Sequence, residues 1–341
     1  MSTLKKIQIG IIANSTSASN REELIAELGP PENGFFGPLE ATYGDLNIAI
    51  IPLDIQPNDP TTIEGNKKGR AALPGAVEYL IHRGAEIIDF AASTKRLPAN
   101  NGREMKEKYP DTVFTIGDNA TSISLLSVIA NSYQNLRFDP KSGSAACMGD
   151  GFMGRTALNF MLEKKCENLV LISRHGNNLP SAVRRVEKVD NINPGTQMFF
   201  SCAHNHLVEP EAFRRLLDPA SIIIDVAAPF GISQAVYSEL PKTVELFHAG
   251  SFFLEKIKYQ FPPNILSFPL VGFWYGCFTE AVMLMLAKQD GIDLRPYNFF
   301  GVNSDSSRLL YRYLQQEEVM VPLINFYAPE KGIKFSLLSR E

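Results

Sequence analysis

A short stretch near the middle of the chain restricts its fold more than any other. Residues 144–148 are small and apolar, as in a buried strand, and Gly149, Gly151 and Gly154 follow directly. A helical pattern then begins at Arg155. The spacing G-x-G-x-x-G between a strand and a helix is typical of a dinucleotide-binding βαβ unit. The alternative is a tight strand-to-helix turn that binds no ligand.

Each glycine of this stretch has its own predicted role. Gly149 makes the tight turn, Gly151 lets the backbone approach a pyrophosphate, and Gly154 lets the helix pack closely on the strand. Free N–H groups at the start of the helix would bind the phosphates. The predicted cofactor-binding residues here are Gly149, Asp150, Gly151, Phe152, Met153 and Gly154, with Ala203 after a later strand.

The end of the next strand indicates which dinucleotide is bound. Strands at this place in NAD-binding proteins end on an acid that binds the ribose hydroxyls. Here the strand over 169–173 ends on Ser173 and Arg174, with no carboxylate. A guanidinium can pair with a 2′-phosphate through two charge-assisted hydrogen bonds. The sequence therefore predicts NADPH, bound in part by Ser173 and Arg174, unless Arg174 is an ordinary surface arginine.

Bulk properties favour a globular protein of the cytoplasm. The 341 residues are enough for about two domains, and 45% of them are hydrophobic. The net charge of −4, without a basic cluster, argues against nucleic acid as a partner. Four scattered cysteines form no C-x-x-C pair, and the first residues show no secretory signal, so reduced thiols are expected.

Strand and helix patterns alternate along most of the chain. We predict an α/β protein: a Rossmann dinucleotide-binding domain plus a separate N-terminal α/β domain, joined by helices. The domains are predicted as an N-terminal substrate domain over 1–135, the NADPH-binding domain over 136–268 and a C-terminal helical return segment over 269–341. Residues 54–73 are polar and contain proline, which favours a long loop.

An apolar run over 265–287 raises the question of a membrane. Pro269, Gly272, Gly276 and Glu280 interrupt it, and a spanning helix tolerates such residues poorly. We predict a buried strand or loop followed by a buried helix and no stable membrane span. Peripheral association with a membrane and the oligomeric state stay open.

Cys277 is the main candidate for covalent chemistry. It follows Gly276 and precedes a helical run over 278–288. A helix N-terminus stabilises a thiolate, which is the nucleophile in acyl transfer. The alternative is a buried apolar cysteine. Glu280, three residues later, is either a helix cap or a proton carrier.

Further candidates stand at strand ends. Lys95 ends a strand in the N-terminal domain, beside Ser93, and is either a proton donor to substrate or a solvated lysine. Asp118 and Asn119 lie at a strand-to-helix junction, where they cap the helix, contact substrate, or both. Trp274 belongs to an aromatic run that lines an acyl tunnel or fills the core. His204 and His206 lack a third ligand, so no metal is predicted.

Several segments occur in the order of a known family. Residues 149–154, 169–174, 222–226, 247–250 and 276–281 resemble those of the long-chain acyl-(acyl carrier protein) reductases, which form aldehydes, and the similarity extends over roughly residues 75–325. The sequence Cys-Phe-Thr-Glu-Ala from Cys277 resembles that family's Cys-Phe-Ala-Glu-Ala around its acylated cysteine. The resemblance implies a thioester on Cys277, NADPH as reductant, and acyl carrier protein or coenzyme A as the acyl carrier.

The chain departs from this family at two motifs. Ala120 replaces a histidine, and Ala91 with Ala92 replaces a glycine pair. Lys95 and residues 117–121 also resemble shikimate dehydrogenases, although the aspartate of that family's Asn-Thr-Asp motif is absent. The sequence thus predicts an NADPH-dependent reductase of acyl thioesters to aldehydes. A shikimate- or quinate-type NADP-dependent dehydrogenase is the first alternative, and a non-catalytic nucleotide-binding protein the second.

Overall fold

The chain forms two compact units, each made of two segments. The computed structural model describes residues 5–136, 138–174, 179–192, 194–203, 210–227, 230–268, 270–328, 332–336 and 338, with the backbone alone at 100, 101, 210 and 212. The first unit comprises Met1–Ala120 and Phe252–Val319, and the second comprises Thr121–Ser251 and Met320–Glu341.

Strands and helices alternate in both units. The strands are β1 (Ile9–Asn14), β2 (Leu39–Tyr43), β3 (Leu46–Leu53), β4 (Ile87–Phe90), β5 (Val113–Thr115), β6 (Ser144–Met148), β7 (Asn168–Ile172), β8 (Val183–Val186), β9 (Thr196–Ser201), β10 (Leu217–Asp225), β11 (Glu245–His248), β12 (Ser251–Phe253), β13 (Ile257–Tyr259), β14 (Phe273–Tyr275), β15 (Val321–Leu323) and β16 (Lys334–Ser336). The helices are α1 (Ala18–Leu28), α2 (Ile63–His82), α3 (Arg103–Lys108), α4 (Asp118–Leu136), α5 (Phe152–Glu163), α6 (Pro210–Leu216), α7 (Gln234–Ser238), α8 (Gly276–Gln289) and α9 (Ser304–Gln316).

The first unit is built on a mixed six-stranded sheet in the order β13-β2-β3-β1-β4-β5. Strands β3, β1, β4 and β5 are parallel, whereas β2 and β13 add antiparallel pairs at one edge. Every residue of β1 and β4 is buried, which is typical of parallel strands that are covered on both faces. One core cluster joins this sheet to the apolar side of α2, including Leu73, Val77 and Leu80.

Helix α2 corrects the prediction of a loop over 54–73. It begins at Ile63, after the N-cap Thr62, whose hydroxyl accepts a hydrogen bond from the N–H of Gly65. Pro74 lies inside the helix, and proline in an interior turn argues against a helix when only the sequence is read. Burial of Ala72, Leu73, Ala76, Val77 and Leu80 stabilises the helix despite that proline.

The second unit contains a parallel six-stranded sheet in the order β8-β7-β6-β9-β10-β11. Numbered within the unit, this order is 3-2-1-4-5-6, the arrangement of the Rossmann fold. The predicted Rossmann domain is therefore confirmed as a fold, and the strand before the glycines is the predicted one. In such sheets ligands bind where the strand order reverses, which here is between β6 and β9.

The limits of the compact units differ from those of the predicted domains. The first unit ends at Ala120, in the first turn of α4, whereas the predicted domain includes nearly all of that helix up to 135. The predicted return segment over 269–341 is divided, because α8 and α9 belong to the first unit, and β15 and β16 to the second. Sequence patterns locate an element, but they do not tell on which sheet it packs.

The apolar run over 265–287 forms strand β14 and helix α8 rather than one long helix. Ten residues of α8 are buried in the protein. Among the helices that the structure describes, none has both the length and the apolar character that crossing a bilayer requires.

Candidate active site

The glycine-rich loop of the second unit has two of its three predicted geometries. Gly149 has φ +105°, a left-handed conformation that other residues adopt only with strain. A Cβ atom at Gly154 would lie 1.9 Å from the carbonyl oxygen of Gly149, so the helix approaches the turn too closely for any side chain. The roles of Gly149 in the turn and of Gly154 in close packing are confirmed.

Gly151 differs from its two neighbours. A Cβ atom there would meet no protein atom within 4 Å, so packing does not require a glycine at this position. Gly151 is also the N-cap of α5, and a glycine has no side chain to cap the first turn. No side chain of the cap therefore occupies the N–H groups of that turn, and the space beside Gly151 is open. The approach of a pyrophosphate to Gly151 stays a prediction.

The remaining predicted cofactor residues lie at the edge of the Rossmann sheet where the strands end. Ser173 and Arg174 follow β7, and the Arg174 side chain is exposed. In the loop, the Nε of Arg155 donates to the carbonyl of Asp150 at 3.1 Å, while Phe152 is 46% exposed. Met153 and Ala203 are half-buried. His204 and His206 lie outside the described residues.

Cys277 lies in the first turn of α8, within the first unit. The backbone N–H groups of Ala92 and Phe278 both lower the pKa of its thiol. Gly117 is pressed against it: a Cβ atom at Gly117 would lie 2.1 Å from the Cα of Cys277. Three distant segments of the chain thus meet at this thiol.

Ala92 holds an unusual backbone conformation at this point. Its φ is +52°, which is rare for a residue with a side chain. The sequence resemblance places a glycine here in the acyl-(acyl carrier protein) reductases, and a glycine would adopt this angle without strain. Such backbone strain is concentrated at functional sites. Here it accompanies an N–H group that lowers the pKa of Cys277.

The prediction of a more acidic thiol at Cys277 is wrong in direction. Burial raises the pKa of Cys277 above its ordinary value, and the negative charge of Asp89 raises it further. The two N–H groups and the Lys95 ammonium lower the pKa, but they do not compensate for burial. A helix N-terminus stabilises a thiolate, yet desolvation disfavours every charged form and is the larger effect here.

Lys95 and Asp118 form an ion pair in the first unit. The Lys95 Nζ lies 2.7 Å from the Asp118 Oδ1, and the Asp118 side chain is 4% exposed against 33% for Lys95. The other Asp118 oxygen is buried and has no hydrogen-bond partner among the described residues. Two residues that the sequence treats as separate candidates are therefore brought together, with one side of the lysine open.

Glu280 serves as the cap of α4. Its Oε2 accepts a hydrogen bond from the N–H of Ala120 at 2.9 Å, and its Oε1 accepts one from the Thr115 hydroxyl at 2.5 Å. Burial raises the pKa of Glu280 to about 7, although these hydrogen bonds oppose the rise. The sequence predicts either a cap at the start of its own helix, α8, or a proton carrier; the contacts observed instead cap α4, and α8 has no side-chain cap.

Asp89 is a residue that the sequence reasoning missed. It lies on β4, is fully buried, and neither of its carboxyl oxygens has a hydrogen-bond partner among the described residues. Burial, Glu280 and Asp118, in that order, raise its pKa well above the ordinary value. One signal could have found it: an acid inside the apolar strand sequence Ile-Ile-Asp-Phe.

The other predicted substrate residues are already engaged within the protein. The N–H and hydroxyl groups of Ser93 both donate to the Asn14 side chain, at 3.1 and 2.8 Å. The Asn119 amide oxygen accepts a bond from the N–H of Asn303 at 3.0 Å. Trp274 is completely buried and stacks on Tyr259, with ring centroids 5.7 Å apart. These contacts support structural roles for Ser93, Asn119 and Trp274.

Within the described part of the chain, no three His, Cys, Asp or Glu side chains are placed to hold a metal ion. Asp89, Asp118 and Glu280 thus form an acidic cluster beside Lys95 without the geometry of a metal centre. Their mutual repulsion is relieved by one ammonium group and by protonation.

Comparison with known proteins gives structural likenesses at low sequence identity. No family model matches the chain, and no curated protein matches it. A malic enzyme from Entamoeba histolytica is 12% identical with a TM-score of 0.43, over 92% of this chain and 70% of that one. An NAD-dependent malic enzyme from Thermotoga maritima is 11% identical with a TM-score of 0.42, over 92% and 85%. Shikimate dehydrogenase 1 from Peptoclostridium difficile is 11% identical with a TM-score of 0.38, over 91% and 98%.

The resemblances to the acyl-(acyl carrier protein) reductases and to the shikimate dehydrogenases stay predictions.

Proposed function

We propose that the protein is an NADPH-dependent reductase that converts acyl thioesters to aldehydes through an acyl group bound to Cys277. The observation that carries this proposal is the setting of Cys277, which lies in the first turn of α8 directly against Gly117. The N–H groups of Ala92 and Phe278 and the Lys95 ammonium all lower the pKa of its thiol, and Ala92 has a strained backbone. A cysteine that only fills the core needs neither two donors nor a nearby cation. The proposed carrier is acyl carrier protein or coenzyme A, in the cytoplasm.

The residues of the first unit have distinct parts in this reaction. The Cys277 thiol gives up its proton, and its sulfur forms a bond to the thioester carbonyl carbon. The bond from that carbon to the carrier sulfur breaks, and the carrier thiolate takes up a proton. The N–H groups of Ala92 and Phe278 stabilise the Cys277 thiolate both before attack and when the aldehyde leaves.

Lys95 is the proposed proton donor to the carbonyl oxygen. Its ammonium keeps 33% of its exposure while Asp118 fixes it from the buried side, so it is both oriented and accessible. Glu280 acts on this site indirectly, because it caps α4 and thereby holds Asp118 in the first turn of that helix.

The second unit supplies the proposed cofactor site. The glycine-rich loop would hold the pyrophosphate at Gly151 and the first turn of α5. Arg174 would pair with the 2′-phosphate, since β7 is followed by no acid. Bound NADPH would supply the hydride that reduces the acyl group.

One observation favours a second function. The ion pair between Lys95 and Asp118 suits a dehydrogenase that removes a proton from a substrate hydroxyl, as the resemblance to shikimate dehydrogenases implies. In that reaction Cys277 has no covalent part. The missing aspartate of the Asn-Thr-Asp motif counts against this alternative.

Intact-mass analysis separates the two functions. The protein is incubated with acyl-coenzyme A in the absence of NADPH, and Cys277→Ser is treated in parallel. We expect a mass increase of one acyl group on the parent, mapped to Cys277, and none on the serine variant. A label on Cys202, or an unlabelled parent that instead oxidises quinate or shikimate with NADP⁺, would refute the thioester mechanism.

A further inference from the structure

The second unit contains a buried acid that the proposed cofactor site has not used. Asp225 is the last residue of β10, pairs in register with Ser201 of β9, and is completely buried. Its Oδ1 accepts a hydrogen bond from the N–H of Ala227 at 3.0 Å, and its Oδ2 accepts one from the N–H of Ile232 at 2.7 Å. Both carboxyl oxygens therefore bind the chain that follows the strand.

These two hydrogen bonds differ in what they join. The bond from Ala227 forms a local turn of the kind that aspartate makes with the N–H two residues later. The bond from Ile232 ties the end of the strand to a residue seven positions further along the chain. A buried carboxyl group is costly to desolvate, and a local turn alone does not need the second bond.

Gly231 shows what the bond to Ile232 positions. A Cβ atom at Gly231 would lie 2.2 Å from the Ser201 Oγ and 2.5 Å from the carbonyl oxygen of Ala203. Gly231 therefore lies directly against the residues at the end of β9. Because the next residue, Ile232, is bound to Asp225, that acid fixes this contact.

The same residues after β9 also contact the glycine-rich loop. A Cβ atom at Gly149 would lie 3.1 Å from the carbonyl oxygen of Cys202 and 3.2 Å from the Ala203 Cβ. The N–H of Cys202 donates to the carbonyl oxygen of Met148 at 2.9 Å. Residues 202–203 thus pack against both Gly149 and Gly231, at the carboxyl ends of β6 and β9, where the strand order reverses.

This place separates the two halves of a bound dinucleotide. Each half of a Rossmann sheet binds one nucleotide, and the ligand crosses the sheet where the strand order reverses. Strands β6 and β7, with Arg174 after them, form the half proposed for the 2′-phosphate nucleotide. Strands β9 and β10 form the other half, which leaves them the nicotinamide nucleotide.

We propose that Asp225 is a positioning residue for the nicotinamide half of the cofactor: through Ile232 and Gly231 it fixes residues 202–203, over which the dinucleotide crosses the sheet. Both of its oxygens are engaged within the protein, so it acts through this segment and not by contact with the ligand. The inference rests on the proposed NADPH site of the second unit, and it does not depend on the chemistry at Cys277.

The test compares the binding of NADPH with that of 2′,5′-ADP, which has the 2′-phosphate half and lacks the nicotinamide nucleotide. In Asp225→Asn the side chain keeps its size but has one acceptor oxygen instead of two, so one of the two hydrogen bonds is lost. Calorimetric titration should show NADPH binding weakened about tenfold or more and 2′,5′-ADP binding weakened less than about twofold. A residue with a structural role alone would weaken both ligands equally.

Asp218→Asn is the matched control for this substitution. Asp218 also accepts an N–H two residues later, that of Ala220 at 2.9 Å, but it lies near the opposite end of β10. The same change there should alter neither affinity.

A second variant, Gly231→Ala, protects the test against misfolding. It displaces the contact with Ala203 without changing a charge and should give the same pattern. If thermal denaturation shows that Asp225→Asn is unfolded, Gly231→Ala decides. Equal losses for the two ligands, or an unchanged NADPH affinity, in a folded variant overturn the role of Asp225. A parent protein that binds neither ligand would instead refute the NADPH site itself.

Discussion

The glycine-rich loop and the Cys277 cluster are assembled in opposite ways. The loop is six consecutive residues, 149–154, that follow β6 and include the first turn of α5. Its geometry is set by contacts within itself, such as Gly154 against the Gly149 carbonyl. The cluster around Cys277 joins residues from β4, from the start of α4 and from α8. Thr115 and Glu280, which hydrogen-bond there, are 165 positions apart.

This difference decides what each region tolerates. In the loop, an added Cβ atom would meet protein atoms at Gly149 and Gly154 but none at Gly151. Substitutions in the loop can therefore separate an effect on ligand binding from an effect on folding. In the cluster, Gly117 lies directly against Cys277, so a change in one segment displaces the others. The comparison predicts large stability effects in the cluster and separable effects in the loop.

The largest effect is expected for Gly117→Ala. The new Cβ would lie 2.1 Å from the Cys277 Cα, and the φ of +69° adds strain. Left-handed strain costs about 1–2 kcal/mol and overpacking about 1–3 kcal/mol, so the free energy of unfolding should fall by roughly 3 kcal/mol or more. Urea denaturation gives this value.

Gly44→Ala is the matched control for this substitution. Gly44 has φ +55°, but a Cβ there meets nothing within 4 Å, so only the left-handed strain of about 1–2 kcal/mol remains. Equal losses at the two positions would mean that Gly117 does not hold α8 in place.

The loop is tested by comparing Gly154→Ala with Gly151→Ala. The first puts a Cβ 1.9 Å from the Gly149 oxygen and should cost about 2–3 kcal/mol of stability through overpacking. The second meets no protein atom and should cost at most about 1 kcal/mol, for alanine in place of glycine at the N-cap of α5. NADPH binding measured by calorimetry should nevertheless be lost if the pyrophosphate approaches Gly151. Undiminished binding in a stable Gly151→Ala variant would mean that the glycine-rich loop is only a tight turn and not a nucleotide site.

The smallest effect concerns the choice of cofactor. Arg174→Ala should weaken NADPH binding by roughly 1.5–3 kcal/mol, the range for a hydrogen bond to a charged group, and change NADH binding little. Because Arg174 is exposed, stability should not change. Titration with both dinucleotides measures the difference. Equal losses of affinity for NADPH and NADH would mean that Arg174 does not bind the 2′-phosphate.

Much of the second unit could be predicted because its signals are local. The strand over 144–148 is the observed β6, and the glycine spacing alone identified the turn and the close packing that follow. Helix α2 could not be predicted in full, because the fall in helix propensity at Pro74 is outweighed by burial on β3, which no local pattern shows.

The chemistry of the Cys277 cluster was beyond local reasoning for the same physical reason. The sequence predicts a lowered pKa for Cys277 because it considers only the dipole of one helix. The burial of the thiol, which raises the pKa, depends on segments that are distant in the chain. Lys95 and Asp118 were found individually, but their pairing depends on a contact over 23 positions. The raised pKa of Asp89 depends on its burial and on charges in other segments of the chain, which the sequence of β4 does not show.

Because the first unit is made of two segments that are far apart in the chain, the Cys277 cluster can form only after the second segment has been synthesised. Strand β2 has to wait for its partner β13, and the acids of β4 and α4 wait for α8. At about 5–20 residues per second, synthesis of the 165 positions from Thr115 to Glu280 takes about 8–33 s. During this interval the Rossmann strands emerge in one continuous segment and can pair, whereas β4 carries an unshielded acid in an apolar strand. Nascent chains halted between these two points should therefore protect the second unit from protease before the first.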